Sequence, residues 1–429
     1  MKNRVKIYIP EVIPTLNKGE EAIIRGILQG FKEEGIDVDV TVYSGVPQID
    51  QQRLPDLKVI GGMTFRPGNM GKVRKSIELA RIWLYHFLFA FTYKVLGARS
   101  LKLFKGDVWR AYCESDLILV GHDGVFSDIN LLFAVFVRLL GKKHVIFGMG
   151  FSGFRSVMGR KFARFLMPLF NLVVLREQGT FDHLVSMGVR ADMMHVKPDP
   201  AFFLQPSGDV ELKTLLEEEG LNAVEGPLIG MIAVRGSKIF NNCFSHIKDL
   251  QAKHAEHVKL FACIAEYVIE TTGGTILFLP HCIGSEPDRD DRRVARDIKA
   301  AVQEKYRDKI INIENEYSGP LLKKLIQRLD FLVAERTHAL IGACSVGTPF
   351  IAVTVTQDTR THDIIGKTCG MKELIVDINQ PDLPAILTLF DEKWQSRNEI
   401  RKILIERAVH VHQECRSAAK LLADVVRAR

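Results

Sequence analysis

The stretch that most constrains this chain runs Phe331-Leu-Val-Ala-Glu-Arg-Thr-His-Ala-Leu-Ile-Gly-Ala-Cys-Ser-Val-Gly-Thr-Pro-Phe-Ile-Ala-Val355. It predicts strand, helix, strand. Phe331 to Ala334 is a short apolar run, the mark of a buried parallel strand. Thr337 to Val346 is small and apolar. Gly347 supplies a left-handed C-cap, and Pro349 cannot continue a helix. Phe350 to Val355 is the second buried strand. Arg336 and His338 therefore fall at the carboxyl end of a strand and in the first turn of the helix after it. Open α/β sheets bind ligands at that edge, and free backbone N–H groups with the helix dipole favour an anion there. A guanidinium and an imidazole at such a place suit a phosphate or carboxylate. The competing reading is a helix cap and an arginine paired with a surface acid.

The same grammar recurs along the chain. Val5 to Pro10, Val38 to Tyr43, Asp116 to Val120, His144 to Gly150 and Leu172 to Leu175 read as strands of a first domain. A helix from the Asn17-Lys-Gly-Glu-Glu21 turn to about Glu34 lies between the first two. Pro206 to Pro227 is polar and acidic, a linker with one helical stretch. Leu228 to Gly236, Gly274 to Pro280, Ile310 to Ile313 and Leu374 to Asp377 are strands of a second domain, together with the two of the opening motif. Glu392 to Arg429 predicts one long helix, returning to the first domain. The expected division is 1–205, 206–390 and 391–429. A length of 429 residues with 47% apolar residues permits two full cores.

Three strand ends of the second domain carry Arg235, His281 and the Arg336-x-His338 pair, and in a parallel sheet such ends share one rim. No pair of acids is set up for hydrolysis. No P-loop, His-x-x-x-His or Asp-x-Asp pattern occurs, and no metal is expected. The seven cysteines are scattered, odd in number and without a Cys-x-x-Cys pair, which points to a reducing, cytoplasmic compartment. Between Arg66 and Lys105 stand nine basic residues and one acid, a local excess of eight where the whole chain has seven. Within it, Ile82 to Phe91 has His86 as its single polar residue. The run is too short to span a bilayer. It reads either as a helix buried against the first sheet or as one lying in a membrane interface. The alternating charges of Asp288 to Asp297 predict a solvated helix face rather than a nucleic-acid patch.

The block Arg336-Thr-His-Ala-Leu340, with its small-residue helix, Gly-Thr-Pro and apolar strand, resembles a signature of the polysaccharide pyruvyl transferase family. Other segments resemble the family in the same order: Asn17-x-Gly-Glu-Glu-Ala-Ile23, the Gly121 to Gly124 loop, Gly148-x-Gly150, Arg176-Glu177, Asp199-Pro-Ala-Phe202 and Pro280-His281. The departures are Glu20 where the family has aspartate, and His122 and Asp123 between the glycines.

The resemblance implies a GT-B-like α/β fold of two Rossmann-like domains facing a cleft. It implies transfer of the pyruvyl group of phosphoenolpyruvate to a glycan or glycolipid as a ketal, in cell-surface or exopolysaccharide synthesis. His338 would be the catalytic acid, with Arg235, Arg336 and His281 on the donor. Asn17, Glu20, Gly121, His122, Asp123 and Arg176 would face the acceptor. No cofactor is expected, because phosphoenolpyruvate enters as substrate. The expected partners are that donor and a glycan, lipid-linked if the basic segment meets the inner face of the membrane, and no nucleic acid. Two rival readings stay open: a GT-B nucleotide-sugar glycosyltransferase, and a non-enzymatic glycan- or lipid-binding protein of the membrane surface.

Overall fold

Both halves of the chain build a parallel sheet, and in the same strand order. The computed structural model describes residues 4–13, 15–62, 72–121, 125–126, 128–151, 154, 156–235, 238–284 and 290–428. The first sheet comprises β1 (Val5–Val12), β2 (Val38–Tyr43), β3 (Lys58–Ile60), β4 (Leu117–Val120), β5 (Val125–Phe126), β6 (Lys143–Phe151), β7 (Leu172–Leu175) and β8 (Met194–Val196). Its order is β3-β2-β1-β4-β6-β7-β8, with β5 paired to the end of β6. The second comprises β9 (Leu228–Ile232), β10 (Thr275–Phe278), β11 (Ile310–Asn312), β12 (Phe331–Ala334), β13 (Phe350–Thr354) and β14 (Ile375–Asp377), in the order β11-β10-β9-β12-β13-β14. In each, the first strand is central and the order reverses beside it, the doubly wound pattern. Strands β9, β10, β12 and β13 are buried along their whole length, as sheets covered on both faces require.

Contacts within the chain separate two units. One is Met1–Thr15, Ile27–Lys197 and Arg416–Arg429; the other is Leu16–Gly26 and Pro198–Cys415. Helix α1 (Lys18–Glu33) thus begins in the second unit and ends in the first. In the first unit the aromatic run lies inside α2 (Lys72–Leu96), followed by α3 (Asp128–Leu139) and α4 (Val157–Leu166). Phe89 and Ala90 of α2 are fully buried among Tyr43, Trp109, Tyr112 and Phe136. His86 sits edge-on to Trp109 and Phe136, with Nδ1 on the Ile82 carbonyl. The core reading of that run therefore holds for one face of the helix.

In the second unit, the sheet is covered by α5 (Leu250–Thr272), α6 (Asp291–Ala301), α7 (Gly319–Arg328) and α8 (Thr337–Val346). Ser318 caps α7, accepting from the Leu321 N–H, and Gly347 ends α8 at φ +78°. The solvated face expected of Asp288 to Asp297 is present within its described residues, with Arg293, Arg296 and Asp297 exposed. Asp291, Val294, Ala295 and Ile298 are buried on the opposite side of α6, which packs on the sheet. The C-terminal helix is shorter than expected. A helix at Leu383–Gln395 ends at Ser396, and α9 (Arg397–Arg427) follows. The end of α9 joins the first unit, where Arg416 pairs with Glu33 and Arg427 with Glu34.

Candidate active site

The chemistry gathers at the centre of the second sheet. Strand β9 is flanked by β10 and β12, with Met231 level with Phe278 and Ile232 level with Ala334. The chain therefore leaves three adjacent strands side by side, at Arg235, at His281 and at Arg336. The strand order reverses between β9 and β12, the point where open α/β sheets take ligands.

Each exit is braced by a buried acid. Asp291, at the start of α6, accepts from Arg336 Nε at 3.2 Å and Nη2 at 2.6 Å. The same carboxylate accepts the N–H groups of His281 and Cys282 at 3.0 and 2.9 Å. Burial works against the Arg336 charge, but Asp291 more than offsets it and lifts the pKa above the ordinary arginine value. Arg336 is thus held bidentately, with Nη1 outside that pair. Glu335 braces the other side. One oxygen accepts the Val234 N–H at 2.6 Å and the other meets His257 Nε2 at 2.9 Å, with both side chains fully buried. Arg235 is half-buried next to the Val234 so pinned.

His338, in the first turn of α8, has its Nε2 buried, without a hydrogen bond among the described residues and 3.8 Å from Asp199 Oδ2. Asp199 has no exposed surface, and its other oxygen accepts the Ala201 N–H. His281 Nδ1 is also buried without a hydrogen bond of normal geometry, and the Leu279 carbonyl pulls only weakly on the ring. Burial first, then the nearby Arg336, His338 and Lys18, pushes the His281 pKa down to about 3, so this ring is neutral at physiological pH. It can hydrogen-bond a ligand but brings no charge.

Residues 17–19 are stitched to the β10 exit. Lys18 N–H donates to the His281 carbonyl, and Asn17 bridges to Cys282. The Asn17 side chain donates to Glu20 and accepts the Gly19 N–H, so both of these predicted residues serve the start of α1. Buried Lys18 pairs with Glu316 at 2.8 Å and lies 3.7 Å from Glu21, which accepts the Gly319 N–H. Burial raises the Glu21 pKa. Lys323 donates to the Leu204 and Phe202 carbonyls, and burial pushes its pKa down to about 7. Lys18, His281, Gly319, Lys323 and His338 line a cavity of about 20 Å³. That is room for a water molecule and far too little for a substrate. Arg235 and Arg336 do not line it.

The remaining predicted residues lie in the first unit. Gly121 has φ +129°, donates its N–H to Glu11 and has the Phe147 carbonyl 2.3 Å from where a Cβ would stand. Close passage to β6 is reason enough for glycine there. Arg176 is buried, with Nε 3.4 Å from Glu177. His122 and Asp123 lie outside the described residues. No group of three or more His, Cys, Asp or Glu among the described residues is arranged to hold a metal ion.

Sequence reasoning passed over Lys18, Glu335, His257 and Asp291, and read Asp199 as a turn. A signal existed for Glu335, an acid ending an apolar strand beside an arginine. None existed for His257, whose role depends on a strand end some eighty positions away.

The family model described as polysaccharide pyruvyl transferase matches residues 17–357. The amylovoran biosynthesis protein AmsJ of Erwinia amylovora is 24% identical over 425 residues, covering 96% of each chain. Among solved structures, a glycosyltransferase from Rickettsia africae ESF-5 superposes with a TM-score of 0.60 at 11% identity, covering 100% of both chains. UDP-GlcNAc 2-epimerase from Neisseria meningitidis, bound to UDP-GlcNAc, gives 0.55 at 12%, again covering 100% of both. At such identities the likeness is one of fold, and the fold is GT-B-like.

Proposed function

Because the chain belongs to the polysaccharide pyruvyl transferase family, and so is a transferase of polysaccharide biosynthesis, we propose that it moves the pyruvyl group of phosphoenolpyruvate onto two hydroxyls of a glycan or glycolipid as a ketal. The observation that supports this best is Arg336, clamped bidentately by Asp291 at the reversal of strand order, close to the neutral ring of His281 and in the same strand-to-helix turn as His338, whose buried Nε2 has no hydrogen bond among the described residues. Buried polar atoms are seldom left unpaired without a ligand or water to meet them.

In this reading His338 donates its proton to the methylene carbon of the enol, making a methyl group and a cationic carbon. Asp199 Oδ2 lies 3.8 Å from the Nε2 that carries the proton. One sugar hydroxyl attacks the cationic carbon and gives up a proton, which restores the imidazolium. The C–O bond to phosphate breaks, and the second hydroxyl closes the ketal and protonates the departing phosphate. Arg336 and Arg235 hold the phosphate and carboxylate through charge-assisted bonds, each contributing about 1.5–3 kcal/mol. Neutral His281 adds a hydrogen bond. We place the reaction in the cytoplasm, which suits a chain with seven free thiols.

The test is a thermal shift with phosphoenolpyruvate, beside nucleoside diphosphate sugars, in wild type, Arg336→Ala and Arg336→Lys. Ligand at one hundredfold over Kd stabilises by about 2.7 kcal/mol. A shift with phosphoenolpyruvate that both variants lose carries the proposal. A shift only with a sugar nucleotide overturns it and favours glycosyl transfer.

A further inference from the structure

The exposed side of α2 carries a stripe of large apolar residues among its basic ones. Ile77, Leu84, Leu88, Phe91 and Val95 are 52 to 71% exposed. At 3.6 residues per turn they fall within about 60° of arc, on the side away from buried Phe89 and Ala90. The stripe runs from Ile77 to Val95, nineteen residues and about 27 Å of helix. An apolar stripe on a surface helix ordinarily faces a core, and this one faces away from the buried side of α2.

The feature continues onto the neighbouring helices. Helix α3 packs on α2 and α4 packs on α3. Ile129 and Leu132 of α3 are exposed, as are Met158, Phe162 and Phe165 of α4, which follow one another at helical spacing. A single exposed apolar residue is ordinary, but exposed apolar residues gathered on three helices that pack one on the next mark an interaction site.

Its charge identifies the partner. Arg74, Arg81, Lys94, Arg99, Lys102 and Lys105 around α2 are exposed. Helix α4 adds exposed Arg160, Lys161 and Arg164 and contains no acid. Glu78, paired to Arg81, is the one acid in α2. A second copy of the chain would bring the same positive surface against this one and be repelled. Apolar side chains flanked by lysine and arginine match the acyl boundary and headgroups of an anionic bilayer. No helix among the described residues is long and apolar enough to cross a membrane, so contact would be from one side.

We infer that the exposed faces of α2, α3 and α4 form a peripheral docking surface for an anionic lipid bilayer, with Leu84, Phe91 and Phe162 entering the interface and the flanking arginines and lysines on the headgroups. This does not depend on pyruvyl transfer. A lipid-linked acceptor would be met at that surface.

The test is flotation of the full chain with phosphatidylglycerol-containing vesicles and with pure phosphatidylcholine vesicles. Wild type is expected to float with the anionic vesicles alone and to be released at about 1 M salt, where screening is within about 3 Å. Arg81→Ser with Lys94→Ser should lower partitioning about twenty-five-fold, since each basic residue near the surface is worth roughly fivefold. Leu84→Ser with Phe91→Ser should abolish flotation while the melting temperature holds, because both side chains already stand in solvent. Wild type that stays unbound, variants that float as wild type does, or a dimer that Phe91→Ser dissolves without any vesicle binding would each overturn the inference.

Discussion

The imidazole of His338 lies flush against the backbone of Gly19. A Cβ built on Gly19 would stand 2.2 Å from Nδ1 and 2.9 Å from the His338 Cβ. Contacts under 3.0 Å to a side chain's own Cβ leave it no way to relax except by turning the whole residue. The glycine of the first βα loop therefore sets the orientation of a histidine more than three hundred positions later, and Nε2 is thereby left facing Asp199.

Gly19→Ala should turn the ring out of place without opening a large void. A displacement of about 1 Å at a reacting group costs on the order of 10²-fold in rate. The expected result is kcat down by about that factor, with the thermal shift from phosphoenolpyruvate retained. Full activity in this variant would remove His338 from the reaction.

His338→Gln keeps a polar side chain in the first turn of α8 but cannot donate as an acid. General acid–base groups contribute about 10²–10⁴-fold. Phosphate release in the presence of acceptor should fall by that order while phosphoenolpyruvate still binds. A variant that binds and turns over as wild type does would leave the acid role empty.

Asp291→Ala would leave Arg336 without its bidentate partner and free the N–H groups of His281 and Cys282. Removing one member of a largely buried pair costs about 3 kcal/mol. Denaturant unfolding should show a loss of that order, and phosphoenolpyruvate should bind more weakly. Asp291→Asn, which keeps an acceptor, should lose less. Equal stability of wild type and Asp291→Ala would show the clamp to be energetically idle.

The pH dependence of stability has a worked sign. Burial pushes His281 down to about 3 and His144 to about 4, against about 6.5 in an unfolded chain. Between those values the unfolded chain binds more protons, so stability is full above pH 6.5 and falls as pH drops towards 4. Each ring contributes at most about 1.4 kcal/mol per pH unit. Urea midpoints should fall from pH 7 to pH 5, and His144→Leu should flatten the decline. A slope unchanged by that substitution would assign the loss to other groups.

Much of the site could be read from the sequence because it depends on short-range pattern. Phe331 to Ala334 is too apolar for anything but a buried strand, and Gly347 and Pro349 end the helix where the structure ends it. Once β9, β10 and β12 were recognised as parallel, Arg235, His281 and Arg336 had to emerge on one rim. Asn17 and Glu20 show the limit of that reasoning. The family resemblance implied that they face a ligand, and in the structure they bond to each other across a helix start.

What the sequence by itself determined is the alternation of strand and helix, the residues at the strand ends and the excess of positive charge in 66–105. These are local, because period, capping and charge density are properties of a few neighbouring residues. Tertiary structure alone decided which acids hold which cations. Asp291 reached Arg336, Glu335 reached His257 and Gly19 reached His338 because sheet order brought distant segments within 4 Å, and burial made each pairing obligatory. It also decided that α2 is covered on one face. Periodicity cannot say which side of a helix with apolar residues on both faces finds a neighbour; only packing against Trp109 and Phe136 does.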